Sequence, residues 1–151
     1  MIRAVTVRRG RQGTLDTLAL IRGMGLDGAN NDDVRRVVAY CELTKWDGLL
    51  RQCWQFAEEE EETLRSVRIQ SANMRSYGRM IGDCDDAAVV AVALAAACHL
   101  RFKIVAVRPG ENAEFSHVFV EVQDVRGWFR IDPTGPINAD YTGWERLECA
   151  G

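Results

Sequence analysis

The stretch from Ala87 to Leu100 is apolar at every position except His99, so a helix built from it has no face that can be left to water. Such a helix has to be covered on several sides and belongs at the centre of a core. Its most apolar part, Ala87 to Ala97, is about a third too short for a membrane span, which takes roughly 17 to 25 residues, and Asp85, Asp86 and Arg101 flank it. No membrane role is expected. After it comes Phe102-Lys103-Ile104-Val105-Ala106-Val107, whose alternation reads as a strand, then the turn residues Arg108 to Asn112. Phe115 to Val122 and Trp128 to Ile131 read as two further strands joined by Gln123 to Gly127.

The first half is helical in pattern. Residues 1–13 suit a short edge strand or a loosely held arm. Thr14 caps a helix to about Met24, which the Gly23, Gly25 and Gly28 cluster is expected to end, and Asn31 or Asp32 caps the next. A third helix is expected from Trp46 to about Thr63, with Glu58 to Glu62 as its solvated end, and 67–82 as an extended segment and loop. Helices first, then one helix followed by an antiparallel sheet, make the class α+β. At 151 residues with 47% apolar content, one domain is expected, with a mainly helical region at 1–66 ahead of a core at 67–151.

A net charge of −3 gives no electrostatic pull toward nucleic acid or anionic lipid. Met1 to Arg9 has no apolar run suited to a secretory signal, so a cytoplasmic protein is expected. Cys41, Cys53, Cys84, Cys98 and Cys149 are odd in number and lack a Cys-x-x-Cys pair, which suits reduced thiols. Cys41, Cys53 and Cys98 fall on apolar stripes as small core residues. Trp46, Trp54 and Trp144 read as packing residues.

Cys84 differs from the other thiols. In Gly82-Asp83-Cys84-Asp85-Asp86 it opens the apolar helix, with Gly82 allowing a tight turn and Asp83 able to cap. A helix start favours a thiolate, but three neighbouring carboxylates oppose it, so a partner base is needed. His99 lies fifteen residues beyond Cys84, some 22 Å along the same helix at about 1.5 Å per residue, and cannot serve. His117 shares a strand face with Phe115, Phe119 and Glu121. If Asp124 pairs with Gly127 across the turn, Asp132 lies opposite Phe119, one diagonal step from His117; a tighter closure places it directly opposite. Both registers keep Asp132 on the face of His117, where a triad's third member orients the imidazole; an odd loop would not, unless a bulge restored it. A metal site from Cys84, His117, Asp83, Asp85, Asp86 and Asp132 is the rival, although zinc favours more Cys and His ligands and calcium does not want a thiol.

Three motifs in order, Gly-Asp-Cys-Asp-Asp before an apolar helix, Phe-Ser-His-Val-Phe-Val-Glu-Val, and Gly-Trp-Phe-Arg-Ile-Asp-Pro-Thr, span Gly82 to Thr134. Through them the chain resembles the transglutaminase-like superfamily of cysteine enzymes, and in particular its compact bacterial and phage-encoded members. The resemblance implies a papain-like core with Cys84 as nucleophile, His117 as general base and later acid, and Asp132 as its orienting residue. It leaves open the second oxyanion donor, for which Ser76 and Tyr77 lie upstream. Val118-Phe119 depart mildly from the family's usual residues after the histidine. A hydrolase of peptide or other amide bonds in a peptide or protein substrate is expected, with no cofactor. The alternatives are transglutaminase-type acyl transfer, or an unused fold serving as a binding or assembly module among phage structural proteins.

Overall fold

The computed structural model describes residues 2–4, 10–58 and 63–151. The chain runs β1 (Ile2–Ala4), α1 (Gly10–Gly28), α2 (Asp32–Tyr40), α3 (Leu43–Gln52), β2 (Trp54–Phe56), β3 (Thr63–Arg65), α4 (Val67–Tyr77), β4 (Met80–Gly82), α5 (Cys84–Ala97), β5 (Arg101–Arg108), β6 (His117–Asp124), β7 (Gly127–Ile131) and β8 (Glu145–Ala150). The class is α+β. An antiparallel sheet of order β7-β6-β5-β8 carries the second half, and two small pairs, β1 with β3 and β2 with β4, lie in the first. Among the described residues no helix is long and apolar enough to cross a membrane.

Helix α5 is the centre, as its uniformly apolar surface requires. Every residue from Asp86 to Ala95 is buried. On one side it meets Phe102, Ile104, Ala106, Val118, Val120 and Val122 of the sheet in a single core with Leu18, Ile21 and Met24 of α1. The strand alternation assigned from sequence therefore selects the face toward α5. The opposite sheet face carries Val105, Val107 and Phe119, covered by Tyr141 and Trp144 from the connection between β7 and β8.

Of the glycines expected to end α1, Gly23 and Gly25 lie inside it and Gly28 is its last residue. The helix runs from Gly10 through Gly23 and Gly25 to Gly28, because Gly25 is where α1 crosses α5: a Cβ there would lie 2.4 Å from Val92 Cγ1. Gly28 meets Val67 in the same way. These residues were expected to be breakers, and two of them are contact points that let backbones approach. The strand part of the expectation for residues 1–13 holds at β1, 5–9 lie outside the described residues, and 10–13 already belong to α1.

Two other expectations change. The helix expected from Trp46 to Thr63 begins at Leu43 and stops at Gln52, because residues 54–56 instead pair in parallel with β4 and the Trp54 indole N–H donates to the Gly82 carbonyl at 3.0 Å. Glu58 therefore does not continue a helix, and 59–62 lie outside the described residues. The stretch 67–82 holds a helix: Ser66 caps α4 and Gly78 closes it in a left-handed conformation, φ 72°. Its buried side has the helical spacing Val67, Gln70, Ser71, but polar residues occupy it, so no apolar stripe marks it. Gln70 is 1% exposed. Its amide donates to the Ile81 carbonyl at 2.7 Å and accepts from the Ile81 N–H at 3.0 Å, standing in for a neighbouring strand on the side of β4 away from β2. Strand β8 was not foreseen; it is an edge strand in which Leu147 alone is buried, so charge dominates its pattern. The pairings of β1 with β3 and β2 with β4 place strands within the region expected to be mainly helical, and β2–β4 crosses the boundary at residue 66.

The two extremes among the α1 glycines, buried Gly25 and exposed Gly23, give a direct test. Gly25→Ala is expected to destabilise the fold by about 1–3 kcal/mol through overpacking against Val92. Gly23, with nothing within 4 Å of an added Cβ, is expected to gain roughly 0.5–1 kcal/mol on substitution by alanine. Urea unfolding of the two variants beside the wild type checks both signs.

Candidate active site

Cys84 is the first residue of α5. Asp83, its N-cap, accepts from the backbone N–H groups of Asp85 and Asp86, and the Asp86 side chain returns a bond to the Asp83 N–H, closing a capping box. The cap does not use the N–H of Cys84. Gly82 has φ 154°, and a Cβ on it would lie 2.2 Å from Asp86 Oδ2, so the tight turn into the helix requires glycine. Asp86 is fully buried and holds three donors: the Arg65 N–H at 2.7 Å, the Arg65 guanidinium at 3.0 Å and the Asp83 N–H at 3.1 Å. Burial pushes its carboxyl up to about 6 against these bonds.

His117 opens β6, and Asp132 follows the last residue of β7. The register is Asp124 opposite Gly127 and Val120 opposite Ile131, the wider of the two expected closures, which carries Asp132 to the level of Phe119. The diagonal step brings His117 Nε2 and Asp132 Oδ1 to 2.7 Å. Asp132 is 4% exposed. The imidazole is flanked by Phe119, with ring centres 6.1 Å apart, and by Tyr141 at 5.9 Å. Tyr141 in turn stacks on Phe119 at 5.5 Å. With Nε2–H donating to the carboxylate, Nδ1 is left as the nitrogen that can accept a proton.

The sulfur of Cys84 comes close to the backbone of Val118, the residue after His117, and feels the charge of Asp132. Its hydrogen-bond partner is Asp85 Oδ1 at 3.9 Å and not the imidazole. Burial first, then the charges of Asp85 and Asp83, push the thiol far above its ordinary range, outweighing the Val118 contact that favours thiolate. These influences favour the neutral thiol over the thiolate. The phenol of Tyr141 is raised as well, by burial and by the charge of Asp132.

The remaining cysteines are free and half-buried. Cys41, Cys53 and Cys98 pack against the core as the stripes implied, and so does Cys149. His99 stands past the other end of α5 in a left-handed conformation, φ 56°. Trp46 is 1% exposed, Trp54 packs against the main core and Trp144 covers the far sheet face. Ser76 and Tyr77 end α4, with Tyr77 largely exposed. Among the described residues no group of three or more His, Cys, Asp or Glu side chains is arranged to hold a metal ion. A mostly apolar cavity of about 530 Å³ between α2, α3, α4 and α5, lined in part by Val37, Leu50, Met74 and Leu94, contains none of Cys84, His117 and Asp132.

The neighbourhood of Asp132 holds residues that sequence reasoning did not single out. Tyr141 is one, and Asp47 and Arg51 of α3, which bond the Asp132 backbone, are the others. An Asp and an Arg four apart on a helix are common on solvated faces, so only long-range pairing distinguishes them. Comparison with family models, curated proteins and solved structures gives no match.

Two outcomes follow from the electrostatics. Asp85→Asn is expected to lower the thiol toward its ordinary range and to speed alkylation of Cys84 by iodoacetamide at pH 8 by about tenfold, read by mass spectrometry of the labelled peptide. For Asp86, a folded-state carboxyl raised to about 6 contributes stability that is present below the unfolded carboxylate range near 4 and lost as pH rises through about 6. The stability difference between wild type and Asp86→Asn should therefore shift against the wild type by up to roughly 3 kcal/mol from pH 4 to pH 7 in urea titrations.

Proposed function

We propose that the chain is a cysteine-dependent hydrolase of peptide or other amide bonds with a papain-like, transglutaminase-like core. The observation that carries this reading is the 2.7 Å contact between His117 Nε2 and Asp132 Oδ1, one residue from the Val118 backbone that meets the Cys84 sulfur. A nucleophile at the start of the central helix, with a base and an orienting carboxylate from adjacent strands, is the arrangement that acyl transfer through a cysteine requires.

The neutral resting thiol decides how the reaction runs. Cys84 turns from Asp85 toward His117, and Nδ1 takes the thiol proton as the sulfur attacks the substrate carbonyl carbon. The carbonyl oxygen becomes an oxyanion, for which the unused Cys84 N–H is the first donor. Asp132 stabilises the imidazolium and keeps the ring oriented. The imidazolium returns its proton to the leaving amine as the C–N bond breaks, leaving a thioester. His117 then accepts a proton from water as it attacks the thioester carbon, and when the C–S bond breaks the imidazolium returns that proton to the sulfur, releasing the acid and restoring the thiol. An amine in place of water gives acyl transfer by the same steps.

A second reading is favoured by one observation: the Cys84 thiol is bonded to Asp85 and not to His117. In it the triad fold is kept without turnover, and the protein is a binding or assembly module, for instance among phage structural proteins.

Reaction with p-nitrophenyl acetate separates the readings. The hydrolase reading expects p-nitrophenolate release with an acetyl group on Cys84 in the intact-mass spectrum, none with Cys84→Ala, and release slowed by about 10²-fold or more with His117→Ala. Faster turnover with added primary amine would assign the transfer variant. Acetylation spread evenly over the five thiols, or indifferent to His117→Ala, would sink the catalytic reading and leave the assembly module.

A further inference from the structure

We infer that Asp47 and Arg51 of α3 are positioning residues that aim the Asp132 carboxylate at His117, an inference that rests on the reading of His117 as the base. The need for such residues comes from the carboxylate itself. Its Oδ1 contacts His117, while Oδ2 is buried and has no hydrogen-bond partner among the described residues. A carboxylate oriented by one hydrogen bond is free to swing about that contact, and it then fixes the imidazole no better than the imidazole fixes it. Its direction has to be set through its backbone.

The chain at this point cannot set it alone. Pairing of β7 with β6 ends at Ile131, and Pro133 has no N–H with which to continue a ladder. Residues 132–135 form a turn closed only by a long bond from the Gly135 N–H to the Asp132 carbonyl at 3.3 Å. Helix α3 supplies the rest. Asp47 Oδ1 accepts the Asp132 N–H at 2.6 Å. Arg51 Nη2 donates to the Asp132 carbonyl at 2.6 Å, and its Nη1 donates to the Gly135 carbonyl. One guanidinium thus ties both ends of the turn, which a planar fork of donors does and an ammonium does not. Asp47 and Arg51 are a helical i, i+4 pair, 3.4 Å apart, so each holds the other in place.

The clamp is anchored on its far side. Leu43, Trp46 and Leu50 of α3 are buried in the core, and the Trp46 indole N–H donates to the Cys41 carbonyl at 2.9 Å. With the turn held against α3, Gly135 lies against the carboxylate so closely that a Cβ would be 2.4 Å from Asp132 Oδ2. The carboxylate is then bounded by Gly135 on one side and by the imidazole on the other, and its orientation follows from backbone position.

The full chain has two histidines, so the His117 imidazole is readily resolved by NMR. In the wild type the Nε2–H proton bonded to Asp132 is expected as a low-field signal, with ¹⁵N shifts reporting a single tautomer. In Arg51→Ala and Asp47→Ala, with thermal unfolding still cooperative, that signal should broaden or vanish and the tautomers mix. Acylation by p-nitrophenyl acetate should fall roughly ten- to a hundredfold, in kcat more than in KM. Arg51→Lys, which reaches one carbonyl and not both, should fall between. If the alanine variants do not fold, Arg51→Lys and Asp47→Asn carry the test on the same signal. A wild-type signal and tautomer in the folded variants would overturn the clamp. Dependence of the signal on Arg51 in a wild type that does not acylate Cys84 would uphold the clamp and overturn the chemistry; His117-dependent acylation with a signal indifferent to Arg51 would do the reverse.

Discussion

Helix α5 cannot show a face to water, and the architecture follows from that. Its Ala-rich surface offers little side-chain volume, so its neighbours approach closely: α1 through Gly25, the sheet through the β-branched residues of β5 and β6. Covering α5 on several sides draws in segments distant in sequence, and the covering elements bring the candidate site residues with them. The strand that buries Val118, Val120 and Val122 against α5 presents His117 at its start, and the next strand delivers Asp132. The start of α5 itself is the one part of the helix where backbone N–H groups point outward unpaired by the helix, and Cys84 stands there.

What was legible in the sequence follows the same logic. Period-two alternation from Phe102 to Ile131 fixed three strands and the faces of their side chains, and turn composition around Asp124 and Gly127 was enough to place Asp132 beside His117. The capped start of α5 could be read from Gly82 and Asp83. The failures share a cause, which is that the deciding partner was remote. Gly25 looks like a helix breaker until Val92 is opposite it. Trp54 continues a helical stripe until β4 offers a strand to pair with. Helix α4 buries Gln70 and Ser71, whose polarity hides the helical period, and both are buried only because Ile81, Asn31 and Asp33 satisfy them. Helix α3's charged pair reads as solvated until the turn after β7 is brought to it.

The electrostatics of the start of α5 are a balance in which proximity of charge defeats the helix field. The capping box gives the helix a firm beginning and leaves the Cys84 N–H without a side-chain acceptor among the described residues. The same Asp83 and the adjacent Asp85 surround the sulfur with negative charge, and burial removes the water that would screen it. Structural order at the helix start and ionisation of the thiol are thus opposed at one site, so a thiolate there needs a proton acceptor from outside α5.

That neutral sulfur has a consequence for the protein's lifetime as well as its reactivity. Peroxide attacks thiolates, and the resulting sulfenic acid can be driven on to forms that are not recovered. A cysteine kept protonated, half-covered and bonded to a carboxylate presents little thiolate for that attack. On that balance the carboxylates that oppose ionisation of Cys84 also oppose its oxidation, and any event that draws off the thiol proton would expose the sulfur to both.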